Sequence, residues 1–174
     1  NVDISGGQKQ VSFDDQYRNQ TDLISMDANT TELVITCSGE VETENLNGVV
    51  GKNTSLTPLW AYELTTEATT PGPAIRKLVQ ALRKEKIDDD LGKMHRLSEM
   101  IRESVTYEIG QTDSSTNAED ALVAGHGVCQ DHAQIMITAA RLLGYPARYV
   151  SGYLMMNDRV DQDASHAWAE AHID

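Results

Sequence analysis

Cysteine and basic residues are scarce in this 174-residue chain. It has two cysteines, one phenylalanine and four prolines, and 14 Lys and Arg residues face 27 Asp and Glu residues. Two cysteines do not make a disulfide framework, so we expect a reducing, cytoplasmic setting. The formal net charge of −13 argues against nucleic acid or an anionic membrane as partner, because both bind through clustered Lys and Arg.

Long hydrophobic runs are missing as well. No stretch approaches the roughly 20 apolar residues that span a bilayer. Residues 1–7 are polar, so the sequence predicts no signal peptide. With 40% hydrophobic and 24% charged residues, the chain has the composition of a globular protein. Its length allows one core, with or without a smaller appended piece.

The first 70 residues predict a partial β-rich segment followed by a linker. Residues 22–26 and 32–43 are strand candidates, and residues 1–12 are predicted to be a disordered or loosely attached N-terminal segment. Cys37 falls on the apolar side of the longer candidate, which predicts a core-facing thiol. Trp60 and Tyr62 are both expected to pack in a core, because large aromatic side chains usually do.

A helical half begins at Pro71, and we assign residues 71–174 to a second domain. An apolar stripe predicts a helix that ends near Lys86, and residues 88–90 supply an N-cap for a second helix through Val105. Residues 116–119 form a capping-box pattern, with Thr116 as N-cap, for a short helix that stops at Gly125. The stripe of the first helix consists of Ile75, Leu78, Val79 and Leu82.

Residues 125–144 place a cysteine at the start of a helix. Gly125 and Gly127 loosen the backbone ahead of Cys129, while Gly144 and then Pro146 end the helix. Free N–H groups and the positive end of the helix dipole stabilise a thiolate at such a position. The helix is predicted from the 3,4-spacing of Ala133, Met136, Ile137, Ala140 and Leu143.

An antiparallel strand pair is predicted after this helix. Residues 147–155 and 165–173 are the strands, joined by a loop over 157–163. The second strand alternates strictly, so one face carries Ala167, Ala169, Ala171 and Ile173, and the other carries His166, Trp168, Glu170 and His172.

A thiolate nucleophile needs a nearby base, which is usually histidine. His166 is the candidate, because a strand packed beside the helix can bring it back to Cys129. His95 is expected to be solvated, and His132, three residues along the helix, is expected to point along its side. A zinc site through His126, Cys129 and His132 is an alternative with no fourth ligand at a matching spacing.

Three motifs in order resemble the bacterial transglutaminase-like superfamily, whose members include cysteine proteases. They are GHGVCQD at 125–131, RLLGYPARYVSGY at 141–153 and SHAWAE at 165–170. The resemblance implies an α+β, papain-like core with the cysteine at a helix N-terminus and the histidine on an antiparallel sheet. The segment 13–65 resembles, less specifically, the tail of the β-rich N-terminal region found in such proteins.

The resemblance also implies the chemistry. Cys129 is the implied nucleophile and His166 the general base and acid, with a peptide or protein substrate and no cofactor or metal. The implied reaction is acyl transfer at an amide through a thioester, and hydrolysis is favoured. Crosslinking of the protein-glutamine type and a non-catalytic binding module remain alternatives. The Cys129 N–H is the natural oxyanion donor, and Tyr153 is a possible second one.

One family feature has no counterpart in the sequence. An aspartate that orients the histidine lies on the following strand, typically more than ten residues on, whereas this chain stops at Asp174. We therefore expect a core truncated at its C-terminus and do not assign the orienting role to Asp174. Asp131 is expected to stabilise the first helical turn and to bond to the loop before it.

Overall fold

The chain divides into two compact units, Asn1–Pro58 and Leu59–Asp174, in a computed structural model that describes residues 1–156 and 165–173. The predicted loop over 157–163 and the terminal Asp174 lie outside the described residues. Helices and strands are both present in quantity, which confirms the α+β class. In the part of the chain that is described, no helix is long and apolar enough to cross a membrane.

The first unit consists of two antiparallel strand pairs. β1 (Val2–Ser5) pairs with β4 (Val34–Cys37), and β2 (Gly7–Asp14) pairs with β3 (Gln20–Met26). The prediction of a disordered or loosely attached N-terminal segment over residues 1–12 is therefore wrong. Gly, Gln and Ser give that segment little strand signal, and it is ordered by hydrogen bonds to partners that are distant in sequence.

Cys37 does not face a core. The predicted strand over 32–43 is reduced to the four residues of β4, all exposed, and Cys37 is exposed with them. Alternation along a strand predicts which residues share a face, but not whether anything covers that face. No side chain between Asn1 and Pro58 is buried, so this prediction failed for lack of a covering layer.

The second unit follows the predicted helix and strand order closely. Its elements are α1 (Pro73–Lys84), α2 (Asp90–Ser104), β5 (Thr106–Tyr107), α3 (Ala118–Ala124), β6 (His126–Gly127), α4 (Cys129–Leu143), β7 (Ala147–Gly152) and β8 (His166–Ala171). β5 and β6 form a short parallel bridge, and β7 and β8 pair antiparallel, Ala147 opposite Ala171 and Gly152 opposite His166.

α4 lies at the centre of this unit and contacts the other three helices and both long strands. Ile135 and Ile137 of α4 are fully buried, together with Ile75 of α1 and Leu97 of α2. The alanine face of β8 packs on this core, as its alternation predicted. The apolar stripes of the helices thus meet around one helix that begins with the candidate nucleophile.

Residues 59–70, predicted as a linker, fold with the second unit as two single-turn 3₁₀ helices, Leu59–Glu63 and Glu67–Thr69. Arg141 near the end of α4 donates to the carbonyls of Leu64 at 2.7 Å and Ala147 at 2.7 Å. Burial lowers the pKa of this guanidinium. Tyr62 is buried as predicted, whereas Trp60 is 63% exposed and its predicted core packing is wrong.

The predicted capping box at residues 116–119 is also wrong. Asn117 is the N-cap of α3, and its side chain accepts from the Asp120 N–H at 2.9 Å. Glu119 instead reaches the start of α1, where it accepts from the N–H groups of Gly72, Ala74 and Ile75 at 3.1, 2.7 and 3.0 Å. α1 starts with glycine and proline and has no side-chain cap of its own, so a neighbouring helix supplies the acceptor.

Candidate active site

The loop before α4 is held by one buried carboxylate. Asp131 accepts from the Val128 N–H at 2.7 Å and from the Thr112 hydroxyl at 2.7 Å, and is only 2% exposed. A Cβ on Gly127 would lie 2.7 Å from the Asp131 Cβ, so only glycine lets the loop approach so closely. The prediction that Asp131 bonds to the loop and supports the first helical turn is confirmed.

Cys129 is the first residue of α4, as predicted. Its thiol is free and half-buried. At this position the first-turn N–H groups have no partner within the helix, and the macrodipole presents its positive end. A thiolate is stabilised by both effects, and the Cys129 N–H is available to an oxyanion that develops at the sulfur.

A cleft of about 360 Å³ opens beside Cys129. α2, β5, α4 and β8 all contribute to its wall. No Asp, Glu, Lys or Arg lines it among the described residues, so its titratable groups are a thiol, a phenol and two imidazoles. The lining residues are Ser98, Tyr107, Cys129, His132, Ala133, Met136, His166, Ala167, Trp168 and Ala169.

His166 is the first residue of β8 and lines the same cleft as Cys129. Its ring contacts Trp168 edge to face, with 4.7 Å between the centroids. The ring makes no hydrogen bond to residues 1–156 or 165–173, so both ring nitrogens remain available to a substrate or the thiol. The helix and the strand, 37 residues apart in the chain, thus bring a thiol and an imidazole to one cavity.

His132 also lines this cleft, which the expectation that it points along the side of the helix did not include. Its Nδ1 lies 2.9 Å from the carbonyl oxygen of Val128, and its Nε2 lies 3.1 Å from that of Val105. Spacing along one helix gives the direction of a side chain only roughly. The end of α2, which supplies the second carbonyl, is the partner that fixes this ring, and no local pattern identifies it.

The other histidines lie elsewhere. His95 is exposed on α2, as expected. His126 belongs to the β5–β6 bridge, and its Nδ1 is buried without a hydrogen-bond partner among the described residues. In the described ranges, no group of three or more His, Cys, Asp or Glu side chains is placed to hold a metal ion. The alternative zinc site through His126, Cys129 and His132 therefore gains no support.

Tyr149 of β7, which sequence reasoning did not single out, does not line the cleft, yet its phenol lies near Cys129. Burial, and after it the negative charges of the Cys129 thiolate and Asp131, raise the pKa of its phenol above the usual value. The phenol therefore keeps its proton at neutral pH, close enough to Cys129 to sense its charge. Tyr153, the predicted second oxyanion donor, lies beyond the end of β7 and is 80% exposed.

A free cysteine at a helix N-terminus, sharing a cleft with a strand-borne histidine in an α+β core, is the arrangement of cysteine-dependent acyl-transfer enzymes. The sequence model of the transglutaminase-like superfamily core matches residues 76–174. This chain therefore belongs to the transglutaminase-like superfamily, as the resemblance of its motifs predicted.

Relatives and a solved structure agree with this assignment. An uncharacterized protein of Mycobacterium leprae is 30% identical over 158 residues, 81% of this chain and 54% of that protein. One of Mycobacterium tuberculosis H37Rv is 43% identical over 79 residues, 42% of this chain and 25% of that protein. The crystal structure of a "putative cysteine protease" from Cytophaga hutchinsonii matches with a TM-score of 0.54 and 30% identity, covering 65% of this chain and 37% of the other.

This chain thus spans about half the length of the Mycobacterium leprae protein and a quarter of the Mycobacterium tuberculosis protein. The superfamily and the fold neighbour support a cysteine-dependent enzyme.

Proposed function

We propose that this chain carries the active site of a cysteine hydrolase that cleaves amide bonds in a peptide or protein. The observation that carries the proposal is the cleft in which Cys129 at the start of α4 and His166 at the start of β8 meet. The neutral wall of the cleft supports an uncharged side chain on the acyl part of the substrate, because a buried charge there would find no described counter-ion.

In the first step His166 takes the thiol proton of Cys129, and the resulting thiolate attacks the amide carbon. A C–S bond forms, the carbonyl oxygen becomes an oxyanion, and the Cys129 N–H stabilises that charge. The C–N bond then breaks, and His166 donates a proton to the departing amine. The product of this step is a thioester on Cys129 and a free amine.

In the second step water attacks the thioester while His166 accepts the proton of that water. The C–S bond breaks, which leaves a carboxylic acid and returns the thiolate. Hydrolysis is favoured over transfer to a second amine because no carboxylate lines the described cleft to bind a lysine ammonium. The orienting partner of His166 is not assigned.

The proposal is tested first by the reactivity of the thiol. The protein is treated with iodoacetamide at pH 7, and the alkylation rate of each cysteine is followed by peptide mass spectrometry. Cys37 is an exposed free thiol in the same chain and serves as the internal reference. Faster labelling of Cys129 than of Cys37 is expected, and equal or slower labelling would refute the nucleophile assignment.

The reaction type is tested with a peptide library in H₂¹⁸O, with and without a primary alkylamine. Incorporation of ¹⁸O into new carboxyl termini is the expected result, and it must disappear in Cys129→Ala. Formation of amine adducts instead would assign transglutaminase-type crosslinking. Absence of both products, together with an unreactive Cys129, would favour a non-catalytic binding module.

A further inference from the structure

The cleft contains a second imidazole that the proposed reaction does not use. His132 lies between two backbone carbonyl oxygens, that of Val128 at 2.9 Å from Nδ1 and that of Val105 at 3.1 Å from Nε2. Carbonyl oxygens only accept hydrogen bonds, so each ring nitrogen must donate. A neutral imidazole carries one N–H and satisfies only one of them. Both bonds are made only when the ring is protonated on both nitrogens.

The two carbonyls are not equivalent in the fold. Val128 is the N-cap of α4 and precedes the candidate nucleophile directly, whereas Val105 ends α2 and is 1% exposed. The His132 ring therefore ties the start of α4 to the end of a neighbouring helix. The Tyr107 ring lies beside it, with 6.2 Å between the centroids and an interplanar angle of 31°.

His132 and Cys129 are three residues apart on α4 and line the same cleft. Side chains at this spacing are neighbours on a helix surface, so a positive ring at one stabilises a negative sulfur at the other. The other titratable groups of the cleft are Tyr107 on β5 and His166 on β8, and the Tyr149 phenol on β7 lies near Cys129 outside the cleft lining. α2 presents Ser98 and the Val105 carbonyl, which do not ionise, and the Asp131 carboxylate is held by Val128 and Thr112.

We propose that His132 is a positioning residue of the active site: a fixed imidazolium that holds the N-cap of α4 against α2 and favours the thiolate form of Cys129. The inference rests on the proposed function. The proposal assigns different roles to the two imidazoles of the cleft. His132 has both ring nitrogens committed to backbone carbonyls, whereas the His166 ring has no hydrogen bond to the described residues and is free to exchange protons.

The experiment compares three proteins that all carry Cys37→Ser, so that Cys129 is the only thiol. The first carries no further substitution, and the second also carries His132→Gln. The third is the matched control and carries His95→Gln, on the exposed face of α2. Glutamine keeps a donor but removes the positive charge. The rate of Cys129 alkylation by iodoacetamide is measured from pH 5 to 10, and thermal unfolding by circular dichroism verifies that each variant folds.

We expect the midpoint of the alkylation profile to move to higher pH by about one unit in His132→Gln and to stay in place in His95→Gln. A folded His132→Gln variant with an unchanged midpoint would overturn the electrostatic role, because a purely structural tie changes stability without moving the profile.

The second readout is independent of catalysis. Nitrogen-15 NMR of the protein labelled at histidine distinguishes a ring protonated on both nitrogens from either neutral tautomer, and assignment uses the His132→Gln spectrum. A doubly protonated His132 at pH 7 is expected, and a neutral tautomer there would refute the proposal. If Cys129 proves no more reactive than Cys37 while His132 is doubly protonated, the proposed function fails and the geometry of this ring still holds.

Discussion

The two units of the chain use apolar residues in opposite ways. In Asn1–Pro58 no side chain is buried, and Phe13, Leu23 and Ile35 are all about half exposed. In Leu59–Asp174 the helices surround α4 and bury Ile75, Leu97 and Ile135 completely. Strand pairing satisfies backbone hydrogen bonds in both units, but only the second has the covering layer that excludes water from side chains.

This difference has a consequence for the site. The candidate nucleophile Cys129, the two cleft histidines and the buried Asp131 all belong to the unit with a core. Functional groups keep a fixed geometry only where packing restricts their rotamers. Cys37 and Cys129, one in each unit, therefore provide the same thiol in an unconstrained and a constrained setting.

The largest predicted effect contrasts those two cysteines. Cys129→Ala is expected to abolish peptide cleavage, a loss of at least about 10⁴-fold, because no other described group supplies the nucleophile. Cys37→Ser is expected to leave the rate unchanged. Initial rates on the best substrate of the peptide library measure both, and residual cleavage above background in Cys129→Ala would contradict the assignment.

A pair of isoleucines tests the contrast in burial directly. Ile135→Ala removes a fully buried side chain of α4 and is expected to lower the free energy of unfolding by about 2–5 kcal/mol. Ile35→Ala on β4, where the side chain is 48% exposed, is expected to change it by less than about 0.5 kcal/mol. Far-ultraviolet circular dichroism in urea is the readout, because it reports on the strands of the first unit as well as on the helices of the second, whereas both tryptophans lie in the second unit. Equal effects of the two substitutions would mean that the contrast is wrong.

Asp131→Asn tests the loop before α4. The substitution weakens two hydrogen bonds in a buried place and is expected to cost about 1–3 kcal/mol in the same urea experiment. Asp88→Asn, at an exposed aspartate, is the control and should stay within about 0.5 kcal/mol of the parent. A cost no larger than that of the control would show that the Asp131 carboxylate is not what holds the loop.

Glu119→Gln tests the cap that α3 supplies to α1. The amide accepts fewer of the three N–H groups and loses the favourable charge at the helix N-terminus, so a loss of about 1 kcal/mol is expected. Glu99→Gln, which removes an exposed ion pair to Arg96, should cost at most about half of that. The reverse order in urea unfolding would argue against the cap.

The smallest predicted effect is a pH dependence at the start of α2. The hydrogen bond from the Tyr145 hydroxyl, at 2.6 Å, and then the Lys93 ammonium lower the pKa of Asp90. Because the folded pKa lies below the unfolded one, this stabilisation is present above about pH 4 and is lost as the pH falls through the folded value. In Asp90→Asn, the free energy of unfolding should therefore fall less steeply as the pH is lowered through the acid range. An unchanged dependence on pH would exclude Asp90 as a contributor.

Many helices and strands of the second unit could be predicted from local sequence patterns. Apolar spacing located α1, α2 and α4, and strict alternation located β8 and its alanine face. The same patterns placed Cys129 at a helix start. That His166 lines its cleft follows from the strand order that the motifs predicted. The residue that would orient His166 stays unassigned, because no described carboxylate lines the cleft.

The failures share a physical cause. Glu119 caps a helix whose N-cap, Gly72, is 47 residues away in the chain, His132 bonds to a carbonyl 27 residues away, and Cys37 lacks a covering layer. In each case the residue type was suited to its environment, but the partner was set by packing between elements. Hydrogen-bond acceptors on the backbone have no residue-specific signal, so Val105 could not be recognised as a partner in advance.

The amino-acid sequence by itself determined the elements of the second unit and the helix start that carries Cys129, because those depend on spacing, caps and glycines within a few residues. Tertiary structure alone decided which imidazole is held and which is free. The His132 ring is held by carbonyls of two helices, and the His166 ring at the start of β8 has no hydrogen bond to the described residues. Hydrogen bonds between elements exist only after the elements pack, and that step assigns different chemical roles to two identical side chains.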